Sequence, residues 1–188
     1  MPVHTHRVAV RQHLELLAAK GDITYTFVFS GPFLDYCLEA GHFFDVKGKK
    51  ANVYDGGVHP FSTSRLSTVG HAVVQIFLKE KETENKTIRF HDIITTQNRL
   101  LEIAKKYTPG AEWTLTPVDT RVLEEEAYAA LGQDPPDQSQ MKNFLARAVF
   151  GGVCGSDFQK VDNELLGIKG LTDAELEEYV AGFVKSAA

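Results

Sequence analysis

Residues 30–33, Ser30-Gly31-Pro32-Phe33, close a run of strand-forming residues, Ile23-Thr-Tyr-Thr-Phe-Val-Phe29. A turn in that place is a chemical address, because ligands of open α/β sheets bind outside the carboxyl ends of strands. Gly-Pro also serves simply to reverse a chain, and spacing alone does not separate the two readings. Ser30 lacks the G-x-S-x-G context of a hydrolase nucleophile. No G-x-G-x-x-G or G-x-x-G-x-x-G occurs in the 188 residues, so the glycine turn that cradles a dinucleotide's phosphates is absent. A second glycine-rich turn, Phe150-Gly-Gly-Val-Cys-Gly-Ser-Asp157, could approach a ligand closely, although a helix stop is its plainer role. It has no following Lys-Ser/Thr and is not a P-loop.

Other candidate chemistry is sparse. His4-x-His6 has no matching Cys, His or carboxylate cluster downstream, and no metal is expected. His13, His42, His59, His71 and His91 are dispersed and read as surface or half-buried side chains. Cys37 and Cys154 lie far apart without C-x-x-C spacing, which fits two thiols in a reducing compartment. Glu124-Glu-Glu126 reads as a solvated helix face. Twenty basic residues are scattered among 25 acidic ones for a net charge of −5, a poor match to nucleic acid. No signal peptide or membrane span is legible, so the expected location is cytoplasmic, with no membrane partner.

The elements that must position these residues follow from periodicity. A helix is expected from about Thr5 to Ala19, with Val10, Leu14, Leu17 and Ala18 on one face. Ile23–Phe29 reads as a strand buried on both faces, as in a parallel sheet. A short helix over 33–39 precedes a hairpin of residues 42–46 and 51–54 around a basic loop. Leu66, Val69, Gly70, Val73 and Phe77 mark the stripe of a helix over 64–78. Residues 80–86 read as a surface turn and 87–90 as a strand. Thr95 or Thr96 caps a helix bearing Leu100, Ile103, Ala104 and Tyr107. Trp113–Val118 alternates like a strand, with Pro117 favouring an edge. Helices follow from Asp119 or Thr120 to Leu131 and from Met141, the latter burying Met141, Phe144, Leu145, Ala148 and Val149. Thr172 and Glu175 form a capping box for a last helix with the stripe Leu176, Tyr179, Val180, Phe183 and Val184.

In order, His6-Arg-Val-Ala-Val-Arg-Gln-His-Leu14, Ile23-Thr-Tyr-Thr-Phe-Val-Phe-Ser-Gly-Pro-Phe-Leu-Asp35, Tyr54-Asp-Gly with Pro60-Phe-Ser-Thr63, and Thr96-Gln-Asn98 before a helix resemble the NmrA-like and isoflavone-reductase-like proteins. These belong to the atypical short-chain dehydrogenase/reductase superfamily. The resemblance implies an α/β chain: a partial, truncated Rossmann-like NAD(P)-binding fold plus a small C-terminal α/β substrate domain. Residues 1–41 would be the C-terminal remnant of the Rossmann-like domain and 42–188 the substrate domain, the two interleaved. The seven-residue strand 23–29 would be an interior strand of a sheet whose other strands this chain does not encode.

The resemblance also implies roles. Arg7 stands where the reductase branch has its catalytic lysine. Arginine can hold an oxygen by hydrogen bonds, but with a pKa above about 12 it is no proton shuttle; a solvated arginine explains the position equally. Ser30, Gly31, Pro32 and Phe33 would lie beside the nicotinamide ring of NAD(P), with Phe33 walling the pocket. Thr96-Gln97-Asn98 is a landmark that helix capping also explains. The expected function is that of an NAD(P)-dependent oxidoreductase acting on a small organic molecule, inactive alone because the phosphate-binding half is missing. The alternatives are a dinucleotide-sensing regulator without turnover, partnered by a transcription factor, and a small-molecule-binding or interaction domain.

Overall fold

The computed structural model describes residues 5–187, and the His4 half of the His4-x-His6 pair lies outside them. Helix α1 (Thr5–Ala19) leads into strand β1 (Thr26–Phe29), which pairs in parallel with β4 (Lys86–Arg89), placing Val28 opposite Ile88. Between them the chain makes α2 (Leu34–Glu39), β2 (Lys50–Tyr54), β3 (Phe61–Thr63), α3 (Leu66–Leu78) and the short α4 (Glu80–Thr83). β5 (Ile93–Thr95) pairs antiparallel with β3, and after α5 (Gln97–Lys106), β6 (Thr114–Val118) pairs in parallel with β2. Helices α6 (Thr120–Leu131), α7 (Met141–Phe150), α8 (Asn163–Leu166) and α9 (Asp173–Ala187) complete the chain.

The main core forms where α2, α5 and α9 close over the aromatic segment after α2. Leu34, Leu38, Phe43, Phe44, Phe61, Leu100, Ile103, Leu176, Val180 and Val184 are all buried there. Phe43 stacks on Phe61, and Phe150 meets Phe61 edge-on and lies flat on Tyr54. A second cluster of Ala72, Ile76, Ile88, Phe90, Leu166 and Ile168 joins α3 to β4 and α8.

Local signals hold where capping chemistry is strong. Thr96 accepts the Arg99 amide at the start of α5, and Asp119 accepts the Arg121 and Val122 amides at the start of α6. Thr172 and Glu175 exchange the reciprocal bonds of a capping box ahead of α9. Pro117 sits on β6, whose only partner among the described residues is β2, so it removes no needed donor.

Five expectations are corrected. Residues 42–46 and 51–54 do not form a hairpin: only Asp45 and Lys50 bridge, and β2 pairs instead with β6. Phe43 and Phe44 are drawn into the aromatic core, and Asp45 turns the chain by accepting the Gly48 amide. Second, the strand is confined to Thr26–Phe29 and is not buried on both faces; Val28 and Phe29 are 41% and 42% exposed. Third, α3 is inverted relative to the apolar stripe read from sequence. Its buried residues are Thr68, Ala72 and Ile76, whereas Leu66, Val73 and Phe77 face outward. Residues 80–83 form a helix whose Thr83 hydroxyl is buried against the Ile76 and Lys79 carbonyls, not a surface turn. On α7, Phe144 is buried but Leu145 is exposed.

Candidate functional site

The carboxyl ends of the parallel strands β1 and β4 open onto one place, and β3 crosses it. β3 and the residue after it supply Ser62-Thr63-Ser64, and every one of these polar residues is fully buried. Burial of hydroxyls is tolerable only if each is bonded, and the turn after β1 provides the partners. Ser64 Oγ donates to the Ser30 carbonyl at 2.7 Å, and Thr63 Oγ1 donates to the Pro32 carbonyl at 2.8 Å. The Ser64 amide also donates to Pro32, and the Leu34 amide to Ser64. Residues 30–34 are thereby laced along β3.

Gly31 is required by this close approach. Its φ is +68°, and a methyl group placed on it would lie 2.8 Å from the Ser62 carbonyl carbon. Only glycine combines that backbone with that contact.

Ser62 makes the central polar contact. Its Oγ lies 2.9 Å from His91 Nδ1 and accepts the Phe158 amide at 2.8 Å. Ser62 and His91 therefore share one hydrogen bond whose direction follows the imidazole tautomer, while the hydroxyl oxygen also serves the Phe158 amide. The other ring nitrogen, Nε2, has no hydrogen-bonding partner among the described residues. Asn163 pins the His91 backbone on both sides, accepting its amide and donating to its carbonyl. The loop 151–158 closes this side: the Ser62 amide donates to Ser156, and Gly152 has His59 packed against its bare face.

Burial lowers the His91 pKa below the ordinary histidine value, opposed by the adjacent Asp92 carboxylate. A depressed imidazole is neutral in the folded chain, while the unfolded chain still takes up a proton near pH 6.5. Stability from this residue is therefore complete above about pH 6.5 and declines as pH falls below it. Urea titrations at about pH 8 and pH 5 should show wild type losing more stability than His91→Gln. Equal losses would show that His91 carries no such linkage. Glu175 and Glu177, both held at about 2 by hydrogen bonds, stay ionised across that window.

Beside this constellation Asp92 is almost wholly buried and accepts four bonds: from the Arg65 amide, Nε and Nη2 and from Thr68 Oγ1. It fixes the start of α3 to the end of β4.

The residues singled out from sequence fall as follows. Ser30, Gly31, Pro32 and Phe33 stand together at the carboxyl end of β1, with Phe33 36% exposed. Arg7 lies in the first turn of α1, exposed, one turn from Arg11 on the same helix face. The Arg11 guanidinium rests 4.8 Å from the Phe27 ring centroid, which sets α1 against β1. Gln97 is structural: it donates to the Phe43 and Asn52 carbonyls and accepts the Tyr54 amide. Cys37 is buried, its thiol pushed up to about 11 by burial and by Asp35, whereas Cys154 is exposed. Ser62 and His91 were not singled out, since 29 residues separate them. The signal available was three hydroxyl residues in a row where an apolar strand would be expected.

The residues at the turn after β1 do not fit a dinucleotide's phosphates. The turn after β1 offers no cradle, because the bare face of Gly31 is filled by Ser62 and the Leu34 amide is bonded to Ser64. At the start of α2, Asp35 takes the Tyr36 amide and adds negative charge where a phosphate would need positive potential. No cluster of three or more potential metal ligands occurs among the described residues, and none of their helices is long and apolar enough to cross a membrane.

No family model matches the chain. Oxidoreductase poxI of Penicillium oxalicum is 31% identical over 182 residues, covering 89% of this chain and 55% of that protein. Oxidoreductase aprR of Aspergillus flavus is 29% identical over 178 residues, covering 93% of this chain and 59% of that protein. The chain thus spans little more than half the length of the curated relatives it matches. Among solved structures, AtPrR2 with NADP+ and (+)pinoresinol superposes with a TM-score of 0.64 at 20% identity, covering 94% of this chain and 55% of that one. The triphenylmethane reductase of Citrobacter sp., complexed with NADP(H), gives 0.55 at 20% identity, covering 93% and 56%. At these identities the structural matches establish a shared Rossmann-like α/β fold.

Proposed function

We propose, from the premise that this chain is NmrA-like and isoflavone-reductase-like in type, that it forms the substrate side of an NAD(P)-dependent oxidoreductase. It would receive a small carbonyl-bearing or aromatic molecule at the carboxyl rim of β1 and β4. The observation that carries this reading is the Ser62–His91 pair at that rim, whose Nε2 has no partner among the described residues, beside the Ser30–Phe33 turn and loop 151–158. That poxI and aprR are oxidoreductases supports the reaction class.

In this reading the residues bind and orient. In the tautomer in which Ser62 Oγ–H donates to Nδ1, His91 Nε2–H donates to the substrate oxygen, and Phe33 supplies an apolar wall. Arg7 would hold a polar atom of substrate or cofactor from the α1 side without moving a proton. The dinucleotide supplies hydride when bound, but its phosphates find no amide cradle here, so the chain alone is expected to bind it weakly and turn nothing over. Calorimetric titration with NADPH should give no saturable heat in the micromolar range. Micromolar binding by the isolated chain would refute this assignment of the phosphate site to other residues.

One feature favours a regulatory, non-catalytic role with a protein partner such as a transcription factor: arginine rather than lysine at position 7. An Arg7→Lys variant, tested for NADPH-dependent reduction of aldehydes and enones in a form that binds dinucleotide, separates the two readings. Gain of turnover with lysine supports the regulatory reading of the natural residue; equal turnover removes it.

A further inference from the structure

We propose that the groove between α3 and residues 167–171 binds a small carboxylic acid that carries a hydroxyl group at its far end.

The groove encloses about 380 Å³, in the lower part of the range of small-molecule sites. One wall is the Arg65 to His71 side of α3, the other is the chain from Gly167 to Leu171, and Thr68 and Asp92 are its buried members. Neither Ser62 nor His91 lines it, so the inference goes beyond the reading of the rim.

Both walls are fixed without a ligand. The Leu171 amide donates to the Asp92 carbonyl at 2.7 Å, and the Ile168 amide donates to the Asn163 carbonyl at 2.8 Å. Gly170, at a φ of +77°, packs its bare face on the Asp92 carbonyl oxygen. Across from it, Asp92 grips the Arg65 guanidinium through Nε and Nη2, and the same guanidinium rests 5.8 Å from the Tyr179 ring centroid. Groups held in this way have little freedom left to lose on binding.

The chemistry of the ligand follows from what these groups leave unused. Arg65 Nη1 has no bonding partner among the described residues, because Asp92 takes only Nε and Nη2. On the opposite wall Lys169 is 82% exposed and spends one donor on Glu175 at 3.4 Å. An arginine edge and an ammonium group facing one groove suit a carboxylate. His71 supplies the opposite function. Its Nε2 lies 2.9 Å from the Leu166 carbonyl oxygen, which can only accept, so Nε2 carries the hydrogen. In the neutral ring Nδ1 is then a lone-pair acceptor, with no partner among the described residues, and it suits an O–H group. Arg65 and His71 are six residues apart on one helix, about 9 Å along its axis, so the carboxylate and the hydroxyl belong at opposite ends of the ligand. Ile168 and Leu171 add apolar surface for the part that joins them.

Charge balance selects a monoanion. Asp92 and Glu175 already offset Arg65 and Lys169, which leaves no surplus of positive charge for a phosphate dianion.

The test is a titration of the full chain with para-hydroxymethylbenzoate, a rigid acid with a hydroxyl at its far end, followed by amide chemical shifts. Saturable shifts are expected at Ser67, His71 and Lys169. para-Methylbenzoate, which lacks the hydroxyl, and benzene-para-dimethanol, which lacks the carboxylate, should each bind at least about threefold more weakly. Lys169→Ala keeps the fold, since its side chain is 82% exposed, and should weaken both acids by about the same factor. His71→Ala should weaken para-hydroxymethylbenzoate and leave para-methylbenzoate unchanged, a contrast that a general loss of structure does not produce. Absence of saturable binding overturns the proposal. So do shifts centred on Ser62 and His91, equal affinity for the acid with and without its hydroxyl, or tighter binding of inorganic phosphate than of para-hydroxymethylbenzoate.

Discussion

Replacing Gly31 by alanine is expected to cost roughly 3 kcal/mol or more of folding stability, enough to unfold much of the population of a marginal chain. Two penalties add. The φ of +68° disfavours any side chain, and the new methyl would press on the Ser62 carbonyl, which is backbone and cannot swing aside. Gly21 separates the two terms. It also has a positive φ, of +81°, but nothing lies within 4 Å of a methyl placed on it, so Gly21→Ala should lose only about 1 kcal/mol. Urea denaturation of both variants measures the difference; equal losses would show that the Gly31–Ser62 approach is not tight. Because Ser62 carries the bond to His91, a folded remnant of Gly31→Ala should also lose the pH dependence assigned to that histidine.

Asp92→Ala is expected to cost about 3 kcal/mol, the lower part of the range for breaking a buried ion pair. The carboxylate is 1% exposed and its loss strands three donors of Arg65 and the Thr68 hydroxyl. Arg65 is 29% exposed and recovers some hydration, which is why the upper part of the range is not reached. Asp92→Asn retains the shape and part of the acceptor capacity and should fall between. Asp45→Ala is the comparison: its side chain is 40% exposed and its ion pair with Lys50 is solvated, so the loss should stay below about 1 kcal/mol. If Asp92→Ala cost no more than Asp45→Ala, Asp92 would not be the clamp between β4 and α3.

Both substitutions act at one place, the joint where β1, β3 and β4 meet, and both should disturb ligand binding as well as stability. The rim residues have no independent scaffold. Ser30 and Pro32 are held by the hydroxyls of β3, and His91 is held by Asn163 and Ser62. A site built this way is rigid as long as every buried hydroxyl is paired.

Much of the local structure was legible in the residues. Thr96, Asp119 and Thr172 each begin a helix at the expected position, because a capping side chain bonds amides only two or three residues away. The bounds of α1 agree with its apolar period, and those of α6 with its Asp119 cap. Phe43 and Phe44 were misread as a strand because β propensity and core burial favour the same residue types. The stripe of α3 was misread because the helix is apolar on both sides, and period alone cannot say which side meets the core. The Ser30–Phe33 turn was identified from its place after a strand, but the pair that gives it chemistry was not, since Ser62 and His91 come from different strand ends.

The amino-acid sequence by itself determined the helix starts, the strand ahead of Ser30 and the lack of a phosphate-binding glycine turn, all of which rest on contacts within a few residues or on residue order. Only the tertiary structure decided that β2 pairs with β6, that Gly31 yields to Ser62, that His91 meets Ser62, and that among the described residues no strand but β4 pairs with β1. Those outcomes depend on which distant segments compete to bury apolar area and satisfy buried polar groups, a global balance that no local pattern encodes.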